Sequence, residues 1–249
     1  DAAHALGATY NNGNKVGNCE YADMTCFSFH PVKGIAAGEG GMITTNDFDI
    51  YRKLTLLRSH GITKGNFEFP GVSRPDNSLV NKDAALEAGE LKRWYYEMQS
   101  LGFNYRITDI QSALAISQMG KIDLFLDARR SMVKVYDKAF KDIPNITPLQ
   151  AHGRDNSSHH IYVVSIDFDK IGMTRHQFME KLAEQGVGSQ VHYIPVVSQP
   201  YYQELGYKIQ QYSITDTYYQ STLSIPLYYG LSDVDQRLVI SSIRKLLGK

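Results

Sequence analysis

Cysteine, tryptophan and net charge are all scarce in this chain, and each shortage excludes a class of protein. Two cysteines, Cys19 and Cys26, among 249 residues make neither a disulfide framework nor a metal set. Lysine plus arginine equals aspartate plus glutamate at 26 each, which leaves no basic excess to release counterions from a phosphate backbone. No nucleic-acid partner is expected. No apolar run approaches the ~20 residues of a membrane span. The opening DAAHALGATY has neither the basic nor the long apolar region of a secretion signal, and it does not look like a natural start. These absences suggest a cytoplasmic protein with no metal and no membrane partner. What is present is an ordinary globular composition, 43% hydrophobic, enough for one large domain or two modest ones.

Residues 1–10 read as the end of a strand running into a loop, "MTCFSF" as a short buried strand, and "GGMITTN" as a second strand after a glycine-rich turn. Asp47 to Ser59 reads as a helix with Ile50, Leu54 and Leu57 on one face. Residues 61–91 carry prolines and polar residues without a period, which predicts a long surface excursion. Thr108 to Met119 is helical. The run from Lys121 then places Ile122, Phe125, Leu126, Met132, Val133, Tyr136 and Phe140 on one face of a long amphipathic helix. After Pro144 and Pro148 the pattern changes. "HHIYVVSIDF" alternates as a strand, and "TRHQFMEKLAEQGV" opens a helix with a Thr-x-x-Gln capping box. "SQVHYIP" and "LSIPLYY" read as short strands, and "SDVDQRLVISSIRKLL" as a closing helix. The expected division is 1–120 as part of a larger domain, 121–144 as a connecting helix, and 145–249 as a small α+β domain.

Lys33 stands out inside "FSFHPVKGIAAGEGG". It has apolar flanks and no charged neighbour within five residues on either side. The bland reading is a solvated surface lysine. The chemical reading is an amine whose partial desolvation disfavours the ammonium and leaves a nucleophile able to attack a carbonyl. The aldehyde of pyridoxal phosphate suits such an amine, and that cofactor needs an anion at its ring nitrogen. Asp1 is a candidate for that anion. The "GEGG" of residues 38–41 lacks the spacing of nucleotide-binding glycine loops and reads as a tight turn. His159 and His160 head a strand without metal-ligand company and receive no role. "WYYEM" at 94–98 reads as a packing cluster.

The motifs "DAAHALGA", "FSFHPVK", "GEGG", "RSHGIT", "WYYEM", "LGFNYRITDIQSAL" and "QVHYIPVVSQPYY" follow the order of the DegT/DnrJ/EryC1/StrS family of sugar aminotransferases, which the chain resembles over essentially its whole length. The resemblance implies an α/β fold of the pyridoxal-phosphate transferase fold type I, aspartate aminotransferase-like. On that reading the later part of the large domain and the small domain are here, and the amino-terminal part is absent. It implies that Lys33 bonds covalently to the cofactor and then moves protons. Asp1 would hold the pyridine nitrogen, His4 would lie near the ring hydroxyl, and Ser28 would hold the phosphate. Read without the family, these three are a turn cap, a surface histidine and a strand-edge serine. Asn104 is implied to reach the phosphate of a neighbouring subunit, making a homodimer with shared sites, and Arg106 to face the same anionic region. Otherwise they are a turn residue and a helix start. Gln190, Val191, His192 and Tyr193 are implied to line the nucleotide-sugar pocket.

The implied reaction moves an amino group from glutamate to C4 of a UDP-linked 4-keto-6-deoxy-N-acetylhexosamine, a step of pseudaminic acid biosynthesis. Lys33 itself argues against the dehydratases of this fold, which carry histidine there. Transfer to a dTDP- or GDP-linked keto sugar, and a non-catalytic fragment or binding protein, stay open. The chain departs from the family pattern at Val197, where a histidine is common, and in the length of residues 66–90.

Overall fold

The computed structural model describes residues 1–63, 86–88, 90–149 and 154–249. The excursion expected over 61–91 falls largely outside these residues. The first region is built on a hairpin. Strands β1 (Thr25–Ser28) and β2 (Gly41–Thr44) pair antiparallel, with Thr25 opposite Thr44 and Ser28 opposite Gly41. The "GEGG" turn returns the chain as expected. Gly38 and Gly40 have φ of 81° and 141°, a range that glycine enters without steric cost. The carbonyl of Gly40 accepts from the Phe29 amide at 2.9 Å.

Two expectations for this region need correction. Residues 1–10 are a series of turns rather than a strand end, because the Ala5 and Ala8 amides donate to carbonyls three residues back, Ala2 and Ala5, at 2.9 Å each. Strand β1 is covered only in part, with Thr25 and the following Phe29 buried but Cys26 exposed. A helix follows, α1 (Phe48–Leu57), capped by the Asp47 carboxylate. The pairs β3 (Ile62–Thr63) with β6 (Glu97–Met98), and β4 (Leu86–Glu87) with β5 (Glu90–Leu91), are two residues long in each strand. Trp94 is 71% exposed, which overturns the packing reading of "WYYEM".

Helix α2 (Asp109–Met119) starts at a full capping box, Thr108 with Gln111. Helix α3 (Ile122–Phe140) links the two regions. Its first turns, through Ile122 and Phe125, pack on the small core of Phe29, Ile35 and Ala37. Its last turns give Met132, Val133, Tyr136 and Phe140 to a much larger core. That core rests on a three-stranded antiparallel sheet in the order β7 (Ile146–Pro148), β8 (Tyr162–Ile166), β9 (Thr222–Ile225). Strand β8 alternates as its sequence predicts, with Tyr162, Val164 and Ile166 buried. Helices α4 (Arg175–Glu184) and α7 (Asp233–Leu246) cover it with Phe178, Leu182, Val239 and Ile243. Helices α5 (Pro200–Glu204) and α6 (Ser213–Ser221) lie between α4 and β9 in the chain. The strand expected in "SQVHYIP" is reduced to one bridge. Gln190 exchanges both backbone bonds with Ser224, at 3.0 and 2.8 Å, and no residue after it continues the ladder.

Candidate active site

Lys33 sits on the turn that follows β1, and the turn reaches back toward the first residues of the chain. The Ala2 amide donates to the Cys26 carbonyl at 2.8 Å, so DAAHALGA lies against β1 and brings His4 to the lysine. Lys33 Nζ and His4 Nε2 are 2.8 Å apart. With the nitrogen of His4 accepting, this is an amine held by an imidazole rather than by a carboxylate. Such a partner accepts the proton without fixing the positive charge.

The second region completes the site. The His160 ring packs on that of His4, with centroids 4.2 Å apart and an interplanar angle of 49°. Ser158 Oγ donates to the His4 carbonyl at 2.8 Å. His192, beyond the Gln190 bridge, is bonded through Nδ1 to Ser224 Oγ at 2.7 Å. All three histidines are held below their ordinary proton affinity. Burial is the first cause for His4, followed by the charge of Lys33 and then by His192. His4 leaves much of its surface open, yet its packing on neighbouring rings and amine suffices for desolvation to lead. Burial and then Lys33 lower His192. Burial followed by His4, Lys33, Arg129 and His192 pushes His160 down to about 3. The site is therefore rich in neutral nitrogen bases near neutral pH.

Under the lysine turn a narrow cleft, with room for little more than a water molecule, is lined by His4, Ser28, Gly34, Phe125, Arg129 and His160, among others. On its other side a wider hollow is bounded by Pro31, Lys33, Gln118, Lys121 and Tyr229, and Arg129 borders both. Ser28 Oγ accepts from the His30 amide at 3.4 Å, a long bond that leaves the hydroxyl hydrogen for another acceptor. Asp1 is exposed, and its Oδ1 accepts from the Ala3 amide at 2.8 Å. This is the turn-cap geometry, and it uses one of the two carboxylate oxygens.

Not every expected residue comes to this place. Asn104 and Arg106 are exposed. Their segment is tied by backbone bonds to the end of α1, Phe103 N to Leu57 O at 2.7 Å and Tyr105 N to Arg58 O at 3.0 Å. The motifs "HGIT" and "LGFNYR" meet there because two glycines let the backbones touch. A Cβ on Gly61 would lie 1.8 Å from the Ser100 carbonyl oxygen. Neither Asn104 nor Arg106 makes a side-chain hydrogen bond with the lysine turn among the described residues. Gln190 and Tyr193 are exposed and Val191 is half-buried, while His192 alone of that segment is drawn into the histidine cluster.

Two residues were missed. His160 was seen only as a strand head, and Arg129 only as part of a helix. Arg129 is 7% exposed, and its Nη1 donates to the carbonyls of His159, His160 and Leu227 at 3.2, 2.9 and 3.0 Å. The one available signal was an arginine on the apolar face of α3, since such a residue is rarely buried without partners.

The architecture is that of sugar aminotransferases solved from bacteria. Helicobacter pylori PseC, described as an aminotransferase involved in the biosynthesis of pseudoaminic acid, is 31% identical with a TM-score of 0.82 and covers 100% of this chain and 58% of its own. A putative sugar aminotransferase from Streptococcus pneumoniae, Spr1654 in its PLP form, is 27% identical with a TM-score of 0.80, covering 100% of this chain and 57% of that one. The family model of the DegT/DnrJ/EryC1/StrS aminotransferases matches residues 1–244, and the chain belongs to that family. Among curated relatives, the spore coat polysaccharide biosynthesis protein SpsC of Bacillus subtilis is 34% identical over 249 residues, 99% of this chain and 59% of the relative. The UDP-4-amino-4,6-dideoxy-N-acetyl-beta-L-altrosamine transaminase of Helicobacter pylori is 32% identical over 245 residues, 98% of this chain and 57% of the relative. The chain thus spans somewhat under three-fifths of the length of the relatives it matches.

Proposed function

We propose that the protein is a pyridoxal-phosphate aminotransferase that moves the amino group of glutamate to C4 of a nucleotide-linked keto sugar, with a UDP-linked 4-keto-6-deoxy-N-acetylhexosamine as the substrate. The observation that carries this reading is the Lys33 amine 2.8 Å from His4 Nε2, with His4 and Ser28 lining one cleft. The donor set fits the cofactor: a primary amine for its aldehyde, a hydroxyl for its phosphate, and an imidazole and a carboxylate for its ring polar atoms. When bound, the cofactor supplies an electron sink for the carbon from which a proton is removed. Lys33 takes that proton and returns it, acting as base and acid in turn. His4 accepts from the amine and orients it. Ser224 holds the His192 ring, which lies near enough to His4 and Lys33 to act on them electrostatically. The pathway of pseudaminic acid enters through the functions of the H. pylori relatives. A cytoplasmic setting is part of this reading, supported by the two free cysteines, Cys19 and Cys26. No helix among the described residues is long and apolar enough to cross a membrane.

Lys33→Ala in the full-length protein should abolish transfer, a loss of at least about 100-fold, while the thermal transition stays within a few degrees of the parent. Formation of 2-oxoglutarate from glutamate and the keto sugar at the parent rate would overturn the assignment. The same reading makes the protein a homodimer whose sites are completed by Asn104 of the second copy. Support comes from the surface around Asn104, where Leu101, Phe103 and Tyr105 are 80%, 53% and 72% exposed, an apolar patch suited to a partner. Mixed dimers of Lys33→Ala with Asn104→Ala chains should regain activity above either parent variant, and no gain would count against shared sites.

A further inference from the structure

We propose that His160 is a positioning residue, whose ring, packed at a tilt against that of His4, fixes the His4 imidazole in line with the Lys33 amine. An exposed histidine held only by one bond to a lysine would swing among rotamers, since χ2 of an imidazole is a broad and soft torsion. His4 does not have that freedom. One face of its ring is occupied by His160 at 4.2 Å, and its carbonyl is held by Ser158 Oγ at 2.8 Å. Both contacts come from residues 158–160, more than 150 positions away in the sequence.

That segment is itself fixed more firmly than a strand head requires. His159 has φ of 47°, in the left-handed region that a non-glycine residue enters only at a steric cost. Its ring Nε2 meets the Arg154 carbonyl at 2.7 Å. The carbonyls of His159 and His160 both accept from the buried Arg129 guanidinium. Arg129 Nε and His160 Nδ1 are both buried without a hydrogen-bond partner among the described residues, and both residues line the cleft under the lysine turn. Burying unpaired nitrogen is costly. An aliphatic side chain would fill the same place without that cost but would offer His4 no flat face.

The surroundings of the pair explain why a second histidine does not repel the first. The groups that act on His160 are His4, Lys33, Arg129 and His192, cations or bases without a carboxylate. In that company the buried ring stays neutral, and it lies against His4 as an aromatic plate. The second region thereby sets the direction of the amine's partner in the first.

The kinetic half of this inference rests on the transaminase reading, and the spectroscopic half does not. The test is histidine ring ¹⁵N and ¹H NMR on the full-length protein, with His160→Phe and His160→Leu beside the parent. In the parent, the His4 ring protons should be displaced upfield by the neighbouring ring, and its Nε2 should show the shift of an unprotonated nitrogen at neutral pH. Random-coil positions for His4 would overturn the proposal without any variant being needed. His160→Phe keeps a flat face and should retain the His4 shifts. His160→Leu should lose them, with kcat falling about 10- to 100-fold and KM for the sugar unchanged. Equal His4 spectra and equal kcat for the Phe and Leu variants would sink the inference. Loss of activity in Lys33→Ala would still stand in that case, so failure here is separable from failure of the aminotransferase reading.

Discussion

The two regions bury their apolar residues very differently. Beyond α3, the sheet β7–β8–β9 and its helices enclose a continuous core in which Tyr136, Phe140, Phe178, Leu182, Val164 and Ile243 have essentially no exposure. Among the described residues, the core cluster beside the lysine turn has three buried members, Phe29, Ile35 and Ala37. Its helices α1 and α2 bury none of their residues, and Ile110 and Ile116 of α2 are 84% and 73% exposed. The candidate lysine thus sits on the thinly covered region, and the well-packed region reaches its partner His4 through His160. Catalytic side chains placed on turns need a rigid neighbour to hold them within a fraction of an ångström. Here that neighbour is the segment from Ser158 to His160 together with His192.

The largest effect that tests this contrast lies in the core. Phe178→Ala should lower unfolding free energy by about 3–5 kcal/mol, whereas Ile116→Ala should change it by less than about 0.5 kcal/mol. Urea titration of both variants decides between them. Equal costs would break the comparison. A cost at Ile116 that grows with protein concentration would sharpen it, by showing that a second copy covers α2.

A smaller effect should appear with pH. His4, His160 and His192 are each lowered in the folded state, chiefly by burial, and His159 is lowered for the same first reason. A histidine lowered on folding is protonated more readily in the unfolded chain, so stability rises with pH wherever the two states differ. For His160, lowered to about 3 from an ordinary 6.5, the contribution is whole above 6.5 and is lost as pH falls toward 3. Paired carboxylates such as Glu20, lowered to about 2 by Asn14 and its neighbours, shift stability in the same direction, but only below their ordinary range. The window from about pH 6.5 to 5 therefore isolates the histidines. Melting temperature should fall across that window, and His160→Phe should flatten the fall. An unchanged slope in His160→Phe would show that the slope belongs to other groups.

How much of this was legible in the sequence depended on the range of the interaction. The helices α2, α3, α4 and α7, the alternating strand β8 and the capping box at Thr174 follow from residues within a few positions of each other, and the sequence pattern places them well. Lys33 stood out by its apolar flanks, and its motif led to His4 and Ser28. The strand expected at Gln190 depended on a ladder with β9 that only a tertiary structure supplies, and it shrank to one bridge. His160 and Arg129 were invisible as site residues for the same reason. The distance from His4 to His160 along the chain carries no periodic signal, and a buried arginine is recognisable only when the carbonyls it holds are in place.

The smallest effect compares one local device in both regions. Thr108 and Thr174 each accept from the amide three residues on, and Gln111 and Gln177 each reach back to close the box. By local physics the two caps are worth the same, about 1 kcal/mol for Thr→Ala. The regions around them are not the same. Helix α4 places Phe178 and Leu182 in the main core, so loosening its first turn loosens the cooperative unit, and Thr174→Ala should lower global stability by about the full 1 kcal/mol. Helix α2 buries nothing, so its first turn can open without disturbing the core, and Thr108→Ala should leave the global transition nearly unmoved. Amide hydrogen exchange separates the cases: Thr108→Ala should speed exchange in the first turn of α2 alone, while Thr174→Ala should speed it across β8 and α7 as well. Equal global losses would mean that α2 belongs to the same cooperative unit as the core, and the division between a thin lysine-bearing region and a well-packed one would fail.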